Sequence, residues 1–164
     1  DLNTSFKGFL YAGLMIVNNE PFLIEYNVRM GDPECQTILP KLKTDFIKLI
    51  NACVNNNLSS INLEWYDDKS LCVVLCSKGY PEIYKNNIEI KNLKDIKLNQ
   101  NEFIFHAGTK KEKNKILSNG GRVLNFVIRS DSFKNNREKA IDLINKINWE
   151  NGFFRKDIGH KVID

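Results

Sequence analysis

The 164-residue sequence has little histidine and little sulfur: two histidines, four cysteines and two methionines. Cys35, Cys53, Cys72 and Cys76 form no CxxC pair, and none stands at a zinc-ligand spacing from His106 or His160. Neither a zinc site nor a disulfide framework is expected from them. They read as reduced thiols, with Cys72 and Cys76 on one face of a strand as small core hydrophobes. No apolar run approaches the roughly 20 residues that span a bilayer, and the N-terminus lacks the zones of a secretory signal. These absences predict a soluble, cytoplasmic protein without a membrane partner. Charge of one sign never gathers in a block, because 24 basic and 20 acidic residues are scattered along the chain for a net charge of +4. That distribution argues against a nucleic-acid partner and favours small anionic ligands. With 42% apolar and 27% charged residues, the composition excludes disorder and collagen-like repeats. The chain opens on Asp1 and enters an apolar strand without a linker, as expected of a piece of a longer protein.

Local patterning is strong. Residues 8–17 (GFLYAGLMIV) and 21–28 (PFLIEYNV) read as two antiparallel strands joined by a turn at Asn18-Asn19-Glu20. On the second strand, period-two alternation sets Phe22, Ile24, Tyr26 and Val28 on a core face and Leu23, Glu25, Asn27 and Arg29 on the other. Gly31, Asp32 and Pro33 break the strand. A helix follows, with Thr44 as N-cap and Phe46, Leu49, Ile50 and Cys53 as its buried stripe. Asn55-Asn56-Asn57 ends that helix, and a boundary is placed near residue 64. Beyond it, residues 71–77, 102–106 and 122–129 read as strands, and Ser132 caps a helix running to about Ile147 through Ala140, Leu143 and Ile144. The expected fold is α+β: an antiparallel hairpin plus helix over 1–63, then a small α+β domain with a mixed or antiparallel sheet over 64–164.

Glu25, Asn27 and Arg29, at i, i+2 and i+4, carry the most chemical information. A carboxylate and an amide oxygen are the hard-oxygen donors that Mg²⁺ accepts when phosphates and waters complete its shell. A guanidinium on the same face can hold phosphate bidentately. The plain alternative is a solvated second face. Asp32 and Glu34 place two more carboxylates just after the strand, although Gly, Asp and Pro also make ordinary turns. Ser118-Asn119-Gly120-Gly121-Arg122 and His106-Ala107-Gly108-Thr109-Lys110 each offer loop N–H groups beside a cation, without Walker spacing, and each also reads as a strand connection. His106 reads as an orienting histidine, since no partner nucleophile is evident. Phe153-Phe154-Arg155-Lys156 mixes aromatics with bases, and packing of the two rings is the preferred reading.

Taken in order, GFLYAGLMI, LIEYNVRMGDPECQTILPKLKTDF, SKGYPEIY, FHAGT, SNGGRVLN and FRKDIG resemble the phosphoribosylamine–glycine ligase family, the glycinamide ribonucleotide synthetases, over essentially the whole chain. The resemblance implies that 1–63 is the end of an ATP-grasp core and 64–164 the C-terminal domain of that family. It also implies ATP-dependent ligation of glycine to 5-phosphoribosylamine in purine biosynthesis, through a glycyl phosphate, with Mg²⁺ or Mn²⁺ as cofactor. In an EFNCRFGDPE-like segment the family's metal-binding Glu and Asn correspond to Glu25 and Asn27. This sequence departs at Tyr26, Val28 and Met30, which alternate away from that pair. Arg29 is expected to stabilise the transferred phosphoryl group. Asp32 and Glu34 are expected to orient the amine or support the metal shell, and Gly120, Gly121 and Arg122 to hold the ribose 5-phosphate. The remaining N-terminal part of the protein is a further expected partner, and the 164 residues alone are expected to be inactive. Two alternatives are another ATP-grasp ligase, against which GDPECQ, FHAGT and NGGRV argue, and a noncatalytic ligand-binding module.

Overall fold

Two successive asparagines decide the first element. Asn18 and Asn19 take left-handed φ values of 52° and 66°, the geometry of a two-residue hairpin turn matched to strand twist. In a computed structural model, which describes residues 4–163, they join β1 (Tyr11–Val17) to β2 (Glu20–Asn27). Glu20 is already in the ladder, opposite Val17. The chain divides after Tyr66 into two units.

In the first unit the hairpin departs from simple alternation. Its register skips between Gly13 and Leu14, so that Gly13 faces Glu25 while Leu14 faces Leu23. Gly13 and Leu14 are neighbours on β1 and point opposite ways. Leu23 therefore leaves the Glu25 face, because a bulge re-aims the strand around it. The face expected to be core is also exposed: Ile24, Tyr26 and Val28 are 64%, 62% and 71% accessible. A two-stranded ribbon needs a second layer to bury a face, and the covered side is instead that of Tyr11, Gly13 and Asn27, all half-buried.

The chain then forms the short helix α1 (Glu34–Ile38) and the longer α2 (Phe46–Val54). Asp45, rather than Thr44, caps α2 by accepting from the Lys48 N–H at 2.9 Å. The Thr44 hydroxyl is occupied elsewhere, accepting from the Glu64 N–H at 2.7 Å and donating to the Asn62 carbonyl. The stripe Phe46, Leu49, Ile50 and Cys53 is half-buried and lines an apolar recess with Phe9 and Trp65. Phe9 stacks on Phe46 with ring centroids 5.9 Å apart.

In the second unit an antiparallel sheet of order β4-β7-β3-β8 comprises β3 (Lys69–Ser77), β4 (Glu102–His106), β7 (Arg122–Ser130) and β8 (Gly152–Phe153). A separate hairpin, β5 (Thr109–Glu112) with β6 (Lys115–Ser118), connects β4 to β7. Helix α3 (Phe133–Asn145) is capped by Ser132, which accepts from the Asn135 N–H. Leu71, Val73 and Leu75 alternate on β3, and Leu124, Phe126 and Ile128 on β7, presenting one apolar face. Ala140, Leu143 and Ile144 of α3 bury it. Phe153 pairs in β8 with Cys76, and Phe154 packs against this core. No helix among the described residues is long and apolar enough to cross a membrane.

Two charged residues, Arg129 and Glu102, are buried here, and their partners are more accessible. The Arg129 guanidinium donates to Asp68 through Nε, at 3.0 Å, and through Nη2, at 2.7 Å, both to Oδ2. Glu102 accepts from the Asn99 backbone N–H at 3.1 Å and the Asn99 amide at 2.8 Å, with Lys139 Nζ at 3.3 Å. Burial alone would raise the Glu102 carboxyl, but these donors outweigh it and hold the group below its ordinary value. A carboxylate depressed in the folded state stabilises it above the unfolded value, and that contribution is lost as pH falls through the lower, folded value. Glu102→Gln is therefore expected to destabilise the second unit at neutral pH and to converge with the parent in acid. Melting curves across that range check this, and a difference that stays constant with pH would contradict it.

Candidate functional site

The candidate site in the first unit is built on one side of the hairpin. Tyr11 lies directly across from Asn27, and Gly13 across from Glu25, so these four positions share a face. Asn27 Nδ2 donates to Glu25 Oε1 at 2.9 Å. That bond uses the Asn27 amide nitrogen and one Glu25 oxygen, so the Asn27 carbonyl oxygen and the second Glu25 oxygen take no part in it. Gly13 is the notch that permits this. A methyl group there would sit 3.2 Å from Glu25 Cγ and 3.8 Å from Tyr11 Cε1, so both side chains lean over the missing one.

The loop after β2 brings a second carboxylate to the same place. Gly31 is buried, and a Cβ on it would overlap the Glu34 carboxylate. Glu34 opens α1, and its Oε1 accepts from the Tyr11 hydroxyl at 3.3 Å. The negative charge of Glu34, then partial burial, raises the Tyr11 phenol above its ordinary value, with Glu25 adding in the same direction. Tyr11 thus links the Glu25–Asn27 pair to Glu34. Nothing in the sequence marked it; the signal available was its cross-strand position opposite Asn27.

The other expected residues sit differently. Asp32 is held by Gln36, whose Nε2 donates to Oδ1 at 2.8 Å. Arg29 does not extend the strand face, because β2 ends at Asn27 and the Arg29 guanidinium donates to the Met30 carbonyl at 3.1 Å. A strand must continue for alternation to carry over, and here it bends before Arg29.

Among the described residues no three His, Cys, Asp or Glu side chains gather as a metal site. The fit to a divalent cation rests instead on Glu25 and Asn27, two hard-oxygen donors, one charged and one neutral. That is a donor set for a Mg²⁺-like ion whose remaining positions come from phosphates and water.

In the second unit the two glycine loops converge. A Cβ on Gly108 would lie 2.5 Å from the Arg122 carbonyl and 3.1 Å from Gly120 Cα, so backbone meets backbone there. The Ala107 and Gly108 N–H groups both donate to the Val123 carbonyl, and the Asn119 N–H to that of Gly108. Those N–H groups serve the fold rather than an anion. Ser77 Oγ donates to the Gly120 carbonyl at 2.8 Å, and Gly121 is buried against the Tyr80 ring. His106 Nδ1 is 2.8 Å from Thr109 Oγ1. Gly108→Ala is expected to destabilise the second unit by about 1–3 kcal/mol, since a backbone carbonyl must move. An unchanged urea midpoint would contradict that contact.

Residues 70–161 fit the family described as phosphoribosylglycinamide synthetase, C domain, and residues 1–35 fit phosphoribosylglycinamide synthetase, ATP-grasp (A) domain. The chain belongs to the phosphoribosylglycinamide synthetase family. The phosphoribosylamine–glycine ligase of Caldanaerobacter subterraneus subsp. tengcongensis is 47% identical over 153 residues, 93% of this chain and 36% of that protein. The chloroplastic phosphoribosylamine–glycine ligase of Arabidopsis thaliana is 40% identical over 162 residues, 96% of this chain and 30% of that protein. The crystal structure of phosphoribosylamine–glycine ligase from Thermotoga maritima superposes with a TM-score of 0.71 at 31% identity, over 92% of this chain and 36% of that one. The chain spans about a third of the length of these synthetase relatives. Within the synthetase family, the hairpin site lies in the stretch matched to the ATP-grasp domain, and the paired glycine loops in the stretch matched to the C domain.

Proposed function

We propose that these 164 residues are the C-terminal part of a cytoplasmic phosphoribosylamine–glycine ligase, an ATP-dependent carbon–nitrogen ligase of purine biosynthesis. The observation that carries this reading is 47% identity to such a ligase across 93% of the chain. The boundary in this reading lies near residue 64, with 1–63 completing an ATP-grasp domain and 64–164 forming the C-terminal domain. Four free thiols accord with a reducing compartment.

The reaction joins two substrates through an activated acid. A glycine carboxylate oxygen attacks the γ-phosphorus of ATP, the bond to ADP breaks, and glycyl phosphate forms. The amine of 5-phosphoribosylamine then attacks the acyl carbon, and phosphate leaves with one oxygen that came from glycine. Most of the protein's task in such a transfer is alignment and charge neutralisation.

Glu25 and Asn27 would hold Mg²⁺ or Mn²⁺, which neutralises phosphate charge when bound. Arg29, released from the Met30 carbonyl, would stabilise the transferred phosphoryl group. Asp32 and Glu34 would receive the amino substrate, and Arg122 with the Gly120-Gly121 turn would hold the ribose 5-phosphate. Isotope transfer tests the chemistry: with ¹⁸O-labelled glycine, the full-length enzyme is expected to deliver one label to inorganic phosphate per turnover. Unlabelled phosphate would refute the acyl phosphate.

A further inference from the structure

The hairpin face contains a residue that the reaction scheme leaves without a task. Tyr11 is half-buried, its ring rests over the Gly13 notch beside Glu25, and its hydroxyl donates to Glu34 Oε1 at 3.3 Å. On its other side Glu34 packs against the buried Cα of Gly31, where any side chain would displace it. Glu34 is thus confined from both sides, by a glycine that leaves it room and a phenol that bonds it. Asp32, the neighbouring carboxylate, is held separately by Gln36. The two loop carboxylates therefore have different holders, and Glu34 is tied to the strand face that carries Glu25 and Asn27.

We propose that Tyr11 is a positioning residue that holds Glu34 beside the Glu25–Asn27 pair as the acceptor for a substrate's primary amino group. The inference rests on the ligase reading above. The phenol is suited to the task because its hydroxyl reaches Glu34 from a strand position fixed opposite Asn27. Oε1 of Glu34 accepts from Tyr11 and Oε2 lies against Gly31, so the carboxylate is fixed in place, and an ammonium or amine would donate to a remaining lone pair of this fixed group. Without the hydroxyl, Glu34 loses a bond that fixes its rotamer. Binding of the amine should therefore suffer more than the chemical step. Glycine and phosphoribosylamine both carry a primary amino group, and the KM that responds identifies which one Glu34 meets.

The test uses the full-length enzyme with Tyr11→Phe, Glu34→Gln and the double variant, measuring kcat and KM for each amine and for ATP, together with melting temperature. The expected result is a KM for one amine raised about tenfold in Tyr11→Phe, with kcat and the KM for ATP nearly unchanged. Glu34→Gln should raise the KM for the same amine, and the double variant should be no worse than Glu34→Gln, because the two residues act as one unit. Unchanged amine KM values in Tyr11→Phe overturn the proposal, as does a double variant whose losses multiply. Should Tyr11→Phe fold poorly, Glu34→Gln alone still decides, since an unaltered KM for both amines overturns the assignment. A parent enzyme that releases ADP without glycine or phosphoribosylamine fails before any variant is made, and then the ligase reading itself falls.

Discussion

Glu25→Ala in the full-length enzyme is expected to lower turnover by about a hundredfold or more, because it removes the charged member of the proposed two-oxygen metal set. The set has little redundancy. Asn27 contributes one neutral oxygen, its amide nitrogen already turned to Glu25, and among the described residues no three His, Cys, Asp or Glu side chains gather as a metal site. Excess metal should recover part of the loss, since weakened binding is offset by concentration. Folding should be little changed, because the Glu25 side chain is exposed and its removal opens no cavity. Steady-state ADP release over a range of Mg²⁺ and Mn²⁺ concentrations measures the effect. Unaltered activity at saturating magnesium would remove Glu25 from the metal site.

Asp68→Ala is expected to produce the largest loss of stability, about 3–5 kcal/mol, by taking the carboxylate from a buried guanidinium. Arg129 is 8% accessible and Asp68 holds it through both Nε and Nη2. Removing the acid strands charge in the interior, whereas replacing both partners together with apolar side chains should recover most of the stability. Urea denaturation separates these outcomes. Trp149, buried in the second unit, reports that unit's unfolding, while Trp65, 40% accessible, reports the first. A midpoint that does not move in Asp68→Ala would show that the pair contributes nothing to the fold.

Much of the second unit could be read from its sequence because its signals are local and agree with one another. The strand over 102–106 stands where the apolar run puts it, Ser132 caps α3, and the apolar positions of α3 face the sheet. The β5–β6 hairpin was not legible, since Lys110, Lys111, Lys113 and Lys115 carry no apolar alternation and its turn relies on Lys113 at a φ of 52°. Helix α1 was missed because five residues after a proline give too short a period to detect. In the first unit, alternation identified Glu25 and Asn27 as neighbours on one face. It could not foresee the skip at Gly13, which moves Leu23 to the other side, nor the bend that takes Arg29 off the strand.

The site followed the same division. Residues two apart on one strand are adjacent by geometry alone, so Glu25 and Asn27 could be paired from the sequence. Tyr11 and Glu34 are 23 residues apart and meet only because the hairpin register and the turn at Gly31 close together. The glycine loops at 108 and 120 likewise meet through the pairing of β5 with β6. Each loop reads alone as a phosphate cradle, and their meeting commits the N–H groups of Ala107, Gly108 and Asn119 to backbone carbonyls.

The most direct test of the account is ADP release by the full-length polypeptide carrying these residues, given ATP, a divalent metal, glycine and freshly generated phosphoribosylamine, with each component omitted in turn. The account predicts release only when all are present. Release that continues without glycine or without phosphoribosylamine, or that requires a different carboxylate, would contradict it.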